Sequence, residues 1–162
     1  MRDEIATYAG WSKSEIAIHG IYFDKTPAED VGDARTYLKN ISAAVRHEGF
    51  LEPRLVVHNP GTVPNVNLTS YPADVTVVFE GEYKNMPKKE EMRAKLQALE
   101  HRREDYAYLV HSTPENISRG ALRRIINGVR RDVEWLFVTD GAGDGKYDGY
   151  GSRWEEFLSL MW

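Results

Sequence analysis

The sequence predicts an α/β protein in which short parallel strands alternate with helices. Its 162 residues contain five apolar, β-branched runs, each followed by a turn-rich segment and an amphipathic stretch. The runs are apolar nearly throughout rather than alternating, which is typical of parallel strands covered on both faces. Strand, helix and strand in series imply right-handed crossovers and place the chain in the α/β class.

The elements follow one another at regular intervals. Predicted strands cover residues 16–24, 54–59, 74–80, 106–111 and 134–140. Apolar residues at helical spacing predict helices over residues 33–48, 88–103, 118–131 and 152–162. The stretch "PGTVPNVNLTSYP" after Asn59 contains too much Pro and Asn for a full helix and predicts a long loop with at most one helical turn. Without a linker or low-complexity segment, residues 1–162 are expected to form a single domain.

Two α/β architectures fit this order. An open, doubly wound sheet suits five strands by count, but no glycine-rich phosphate loop follows any of them. The other possibility is part of a (β/α)8 barrel, whose enzymes build their sites from the carboxyl ends of the strands. Every run here ends in a polar residue: Asp24, Asn59, Glu80, His111 and Asp140.

Composition excludes several classes of function. A net charge of −4 and a pI of about 5.8 argue against partners such as nucleic acid or an anionic membrane. No apolar run approaches the roughly 20 residues of a membrane helix, and "MRDEIATYAGW" lacks the apolar region of a signal peptide. The absence of cysteine excludes disulfides, thiol catalysis and cysteine-based zinc sites.

Two carboxylates at strand ends are candidate catalytic groups. Asp24 and Glu80 each follow an aromatic residue, Phe23 and Phe79. Glycoside hydrolysis requires such a pair of acids flanking the scissile bond. Alternatively, acids at strand ends cap the next loop or helix. Lys25, directly after Asp24, is predicted to be a solvated surface lysine.

Metal binding is a weaker alternative, and no cofactor is predicted. His19, His58 and His111 lack ligand spacing, and a magnesium site would need Asp24, Glu80 and Asp140 together. The stretch "DGAGDGKYDGYG" predicts a glycine-rich loop after the last strand rather than a calcium loop. Several tyrosines near strand ends or in the loops after them could stack on sugar rings: Tyr22, Tyr71, Tyr83, Tyr147 and Tyr150.

The amino-acid sequences in and around the predicted strands resemble those of one known family. "TYAGW" with "IHGIYFDKTP", then "LVVHNPGTVPN", "ADVTVVFEGEY", "YAYLVHS" and "LFVTDG" are similar to blocks of the spherulation-specific family 4 proteins, in the same order from about Tyr8 onward. The resemblance implies a (β/α)8 barrel. It also implies either a secreted glycoside hydrolase acting on galactosaminogalactan, a polymer of galactose and N-acetylgalactosamine, or a spore-wall protein.

The resemblance also assigns roles to individual residues. Asp24 and Glu80 match the acids of the family and are expected to be catalytic, whereas Lys25 stands where the family has Glu, which implies weakened activity. Asn59 and His111 match polar strand-end positions of the family. They are expected to contact a polysaccharide, together with Tyr83 and Asp140, which are selected by their place at or after a strand end. The chain would supply strands four to eight of the barrel, and its open edges would favour self-association. Alternatives are a non-catalytic, wall-associated sugar-binding protein and a metal-dependent α/β enzyme.

Overall fold

A computed structural model describes residues 2–11, 15–50, 52–69, 73–99 and 102–161. The strands are β1 (Gly20–Asp24), β2 (Leu55–Asn59), β3 (Val75–Glu82), β4 (Tyr106–His111) and β5 (Trp135–Val138). The helices are α1 (Arg2–Gly10), α2 (Ala34–His47), α3 (Lys89–Gln97), α4 (Arg119–Val129) and α5 (Trp154–Met161). Short 3₁₀ turns cover Val66–Leu68, Tyr83–Asn85, Arg103–Asp105 and Gly143–Gly145.

The five strands form a parallel sheet in the order β1-β2-β3-β4-β5, which confirms the α/β prediction. Each strand is therefore placed beside the next one in the chain. A doubly wound sheet reverses its order at a switch point, and this sheet has no reversal, as in successive units of a (β/α) barrel. β1 and β5 are outermost in this order; self-association through them stays a prediction.

The chain divides into two units, Met1–Thr76 and Val77–Trp162, and β3 begins in the first and ends in the second. Each unit is described by itself below. The expectation of a single domain over residues 1–162 stays a prediction.

The core of the first unit is formed by α2 against β2 and α1. The inner face of α2 buries Leu38, Ile41 and Val45, which recur at the three- and four-residue spacing of one helical face. β1 pairs with β2 residue by residue from Gly20 opposite Leu55 to Asp24 opposite Asn59. This register brings the polar ends of both strands together.

Replacement of Gly20 at the start of β1 is expected to destabilise the fold. A β-carbon there would lie 2.6 Å from the backbone nitrogen and 2.7 Å from the carbonyl carbon of Leu55, and backbone atoms cannot rotate away. Gly20→Ala should therefore lower the free energy of unfolding by about 1–3 kcal/mol, the usual cost of overpacking. Gly49→Ala is the control, because nothing lies within 4 Å of the added carbon. Urea unfolding measures both; equal stability of the two variants would contradict the prediction.

The second unit buries β4 and the inner face of α4. Ser118 caps α4 by accepting a 3.2 Å hydrogen bond from the amide of Ala121. Leu122, Ile125 and Ile126 of the same helix are buried.

A cavity of about 180 Å³ lies at the amino end of β4, and its lining includes Arg93, Arg131 and Asp132. Arg93 donates to both carboxylate oxygens of Asp132, at 2.9 and 3.1 Å. We interpret this cavity as structural, since it lies at the opposite end of β4 from His111.

The observed elements correct several predicted boundaries. The first strand was predicted from Ile16 but begins at Gly20, and Ile16 is 60% exposed. The third strand continues to Glu82, and the second predicted helix ends at Gln97. One helical turn at Val66–Leu68 agrees with the expectation for the loop after β2. Parts of the predicted segments lie outside the described residues: residues 70–72, residues 100–101 and Trp162. Among the described helices, none combines the length and apolar character needed to cross a membrane.

Candidate functional site

In the first unit, Asp24 and Asn59 meet at the carboxyl ends of β1 and β2. The side-chain amide nitrogen of Asn59 donates a 2.8 Å hydrogen bond to the Asp24 carboxylate. Asn59 is only 2% exposed, and its side-chain oxygen accepts a 2.9 Å hydrogen bond from the Gly61 amide. Asp24 itself is exposed. Asn59 therefore holds an accessible carboxylate at a defined position; a catalytic role of Asp24 stays a prediction.

The turn that follows Asp24 has an unusual backbone. The backbone of Lys25 has a φ angle of 52°, a left-handed conformation that is energetically unfavourable for residues other than glycine. Its side chain is exposed, as predicted for a solvated lysine. The next residue is bound to β2 again, because the Thr26 amide donates a 3.0 Å hydrogen bond to the Asn59 carbonyl. Lys25 thus lies at the tip of a tight turn beside the Asp24–Asn59 pair.

In the second unit, Glu80 is contacted by the glycine-rich loop after β5. The Tyr147 hydroxyl donates a 2.7 Å hydrogen bond to Oε1 of Glu80, and Nζ of Lys146 lies 3.8 Å from the same oxygen. The Glu80 side chain is 18% exposed. The sequence predicts sugar stacking for Tyr147 and indicates no role for Lys146. The only signal was the glycine-rich pattern around them.

His111 ends β4 and lies near the same loop. Its ring is edge-on to Tyr147, with 6.2 Å between ring centroids, and Nδ1 lies 3.0 Å from the Ser112 hydroxyl. Burial lowers the pKa of His111 and the charge of Lys146 lowers it further, whereas Glu80 and Glu82 act in the opposite direction. The structure therefore places His111 and Glu80, two predicted site residues, around one loop.

Asp140, at the start of this loop, binds Ser152 near its end. Its carboxylate accepts hydrogen bonds from the amide of Ser152, at 3.0 and 3.1 Å, and from the Ser152 hydroxyl. These bonds, the hydroxyl's above all, lower the pKa of Asp140. Gly151 passes so close that a β-carbon would lie 2.6 Å from Oγ1 of Thr139. Asp140 has a clear structural role here, and substrate contact by Asp140 stays a prediction.

The other tyrosines differ in position and exposure. Tyr83 is half-buried in the 3₁₀ turn directly after β3, and Tyr22 is 49% exposed on β1. Tyr150 is 64% exposed and stacks on Trp154 with 4.6 Å between centroids. Tyr71 lies outside the described residues. Sugar stacking by these rings stays a prediction.

His58 forms a serine–histidine contact that is part of the core. Its Nε2 lies 3.1 Å from the Ser42 hydroxyl, and the two residues are 5% and 6% exposed. Burial lowers the pKa of His58 to about 4. A nucleophile must be reached by its substrate, so we interpret this pair as structural. Within the described ranges, no three His, Cys, Asp or Glu side chains are grouped so that they could hold a metal ion.

These features define a class of protein. A parallel α/β sheet with consecutive strand order and polar side chains at the strands' carboxyl ends is the arrangement of (β/α) proteins that bind ligands at that face. Residues 1–161 match the family model of Spherulin4, the spherulation-specific family 4. The chain belongs to this family, as the sequence blocks predicted.

A solved structure supports the same relationship. The chain is similar to Aspergillus clavatus Sph3, whose crystal structure was determined in complex with GalNAc, with 32% sequence identity and a TM-score of 0.84. The match covers 99% of this chain and 64% of the Sph3 chain. This chain therefore spans less than two thirds of the length of that protein. No curated protein matches the sequence.

Proposed function

We propose that this protein is a glycoside-hydrolase-like member of the family that binds a GalNAc-containing polysaccharide on a partial (β/α)8 barrel. The observation that carries the proposal is the likeness to GalNAc-bound Sph3 over 99% of the chain. Galactosaminogalactan is the expected polymer, because the family resemblance implies it. The sequential order of the parallel strands supports the barrel.

In this proposal Asp24 and Glu80 are the two catalytic acids. One protonates the glycosidic oxygen as the bond to the sugar breaks. The other stabilises or attacks the resulting sugar cation, or activates the water that completes hydrolysis. The support is local: Asp24 is accessible and fixed by Asn59, and Glu80 is fixed by Tyr147. Asn59, Tyr83, His111 and Asp140 are proposed to contact the sugar.

Binding and hydrolysis test the proposal separately. We expect calorimetry to detect GalNAc binding, with no comparable heat for glucose, and reducing-end assays to detect cleavage of galactosaminogalactan. Binding without cleavage would replace the enzyme with the non-catalytic, sugar-binding alternative. Absence of both, in a protein that unfolds cooperatively, would contradict the proposal.

Lys25 is the observation that favours the non-catalytic alternative. It places an exposed cation directly after Asp24, where the family resemblance predicts Glu. Lys25→Glu should therefore increase hydrolysis by about 10-fold or more, since a positioned acid–base group typically contributes 10²–10⁴-fold. GalNAc affinity and the melting temperature should change little, because the side chain is exposed.

The control for this prediction is Lys25→Gln. It removes the positive charge at the same left-handed position without adding a carboxylate. An equal gain in rate for Lys25→Gln and Lys25→Glu would mean that the lysine merely repels or obstructs the substrate. No gain in either variant would show that the residue at this position does not limit the rate.

A further inference from the structure

Two side chains of the glycine-rich loop between β5 and α5 contact a single oxygen atom of Glu80. We infer that Tyr147 and Lys146 are positioning residues that fix the orientation of the Glu80 carboxylate for hydrolysis. This inference rests on the proposed function, and it adds two residues and a loop to the two acids of that proposal. All of these groups lie in the second unit.

The Tyr147 ring is held from two sides, so its hydroxyl has a defined position. It packs edge-on against His111 and lies 6.0 Å from the Phe137 ring, at an interplanar angle of 63°. From this position the hydroxyl donates its 2.7 Å hydrogen bond to Oε1 of Glu80. A hydrogen bond to one oxygen restricts rotation of the carboxylate about its terminal bond, and catalysis depends on such orientation.

Lys146 contributes charge at the same oxygen. Its Nζ lies 3.8 Å from Oε1 of Glu80 and 5.2 Å from the centroid of the Tyr147 ring. The Lys146 side chain is 30% exposed, so this ion pair is screened less than one on the open surface. The ammonium group therefore contacts both the carboxylate and the ring that orients it.

The loop reaches Glu80 because position 141 has no side chain. A β-carbon on Gly141 would lie 3.0 Å from the carbonyl carbon and 3.1 Å from the α-carbon of Lys146, and closer still to the carbonyl oxygen. All three are backbone atoms, so the backbone that carries Lys146 and Tyr147 would have to move. Gly141 is itself fixed, because its carbonyl accepts a 2.8 Å hydrogen bond from Ser112 and its amide donates to Oγ1 of Thr139.

Side-chain substitutions test the two contacts directly. Tyr147→Phe keeps the packed ring and removes the hydroxyl, so kcat on the polysaccharide should fall about 10- to 100-fold, as expected for a lost hydrogen bond to a charged group. GalNAc affinity and the melting temperature should stay close to those of the wild type. Lys146→Met should also lower kcat, and Lys146→Arg, which keeps the positive charge, should restore most of it.

A matched pair of glycines tests the loop. Gly141→Ala should lower kcat, because the added carbon displaces the backbone of Lys146. Gly149→Ala lies in the same loop and should leave kcat unchanged, because nothing lies within 4 Å of its added carbon. Equal rates for these two variants would contradict the role of Gly141.

Crystal structures of the wild type and of Tyr147→Phe provide a readout that does not need activity. We expect the Glu80 carboxylate to rotate or to occupy several conformers in Tyr147→Phe. Should the wild type bind GalNAc but hydrolyse nothing, the catalytic part of the proposed function fails and this readout alone decides: a rotated carboxylate supports positioning, and an unchanged one overturns it. In an active wild type, a kcat for Tyr147→Phe within twofold of the wild-type value overturns the inference.

Discussion

Replacing Glu80 with glutamine is expected to lower hydrolysis of the polysaccharide by about 10²–10⁴-fold, the usual contribution of one acid–base group. The amide has nearly the same shape, but it cannot give up a proton or carry a negative charge. Its oxygen can still accept the hydrogen bond that Tyr147 donates to Glu80. The fold should therefore survive, and the loss should appear in kcat while the melting temperature hardly changes.

Glu82→Gln is the matched control for this substitution. Glu82 lies two residues further along β3, so its side chain emerges on the same face of the strand. It forms a 2.7 Å ion pair with Lys84, on the 3₁₀ turn that follows. Hydrolysis by Glu82→Gln should stay within twofold of the wild-type rate. Full activity of Glu80→Gln, or equal losses in the two variants, would remove Glu80 from the proposed catalytic pair.

The sequence predicted the strands best where apolar character and flanking polar residues coincide. β4 has the predicted bounds, 106–111, because it lies between Asp105 and Ser112. β1 was predicted too long, since "IAIH" has the same apolar character as the strand that follows. The paired part of β1 begins at Gly20, which lies opposite Leu55 and whose missing side chain allows the two backbones to approach closely. That close approach cannot be derived from hydropathy.

The candidate site was predictable only where it follows from the ends of neighbouring strands. Asp24 and Asn59 each end a strand, and parallel pairing of these strands aligns the two residues. The contact between Glu80 and Tyr147 joins residues 67 positions apart through an irregular loop. Its path depends on Gly141 and on the bonds from Ser152 to Asp140, which no periodic pattern encodes.

Acidification is expected to destabilise the first unit by about 3 kcal/mol between pH 6.5 and pH 4, through His58. The pKa of this imidazole is lowered from 6.5 to about 4, mainly by burial and also by the charge of Arg46, whereas the charge of Asp74 opposes the change. The ring lies in contact with Ser42 and 6.0 Å from the ring of Phe23, at 5% exposure. A difference of about 2.5 in pKa, at 1.36 kcal/mol each, gives the expected loss.

The sign follows from where each state binds its proton. Above pH 6.5 the imidazole is neutral in both the folded and the unfolded chain, so the whole stabilisation is present. As the pH falls below 6.5, the imidazole binds a proton in the unfolded chain but not in the folded chain, where it is buried. The free energy of unfolding therefore decreases. Below about pH 4 the folded ring is protonated too, and this contribution stops changing.

Urea unfolding at intervals between pH 4 and pH 8, for the wild type and for His58→Gln, measures this dependence. Glutamine does not titrate, so the variant should be less stable at pH 7 yet should lose about 3 kcal/mol less on acidification. Val45→Ala also weakens the core of the first unit, since Val45 is fully buried, but it leaves the imidazole in place. It should therefore keep the wild-type slope. If His58→Gln and Val45→Ala show the same slope of unfolding free energy against pH, the acid sensitivity does not arise from His58. The imidazole would then bind its proton in the folded core at the same pH as in the unfolded chain.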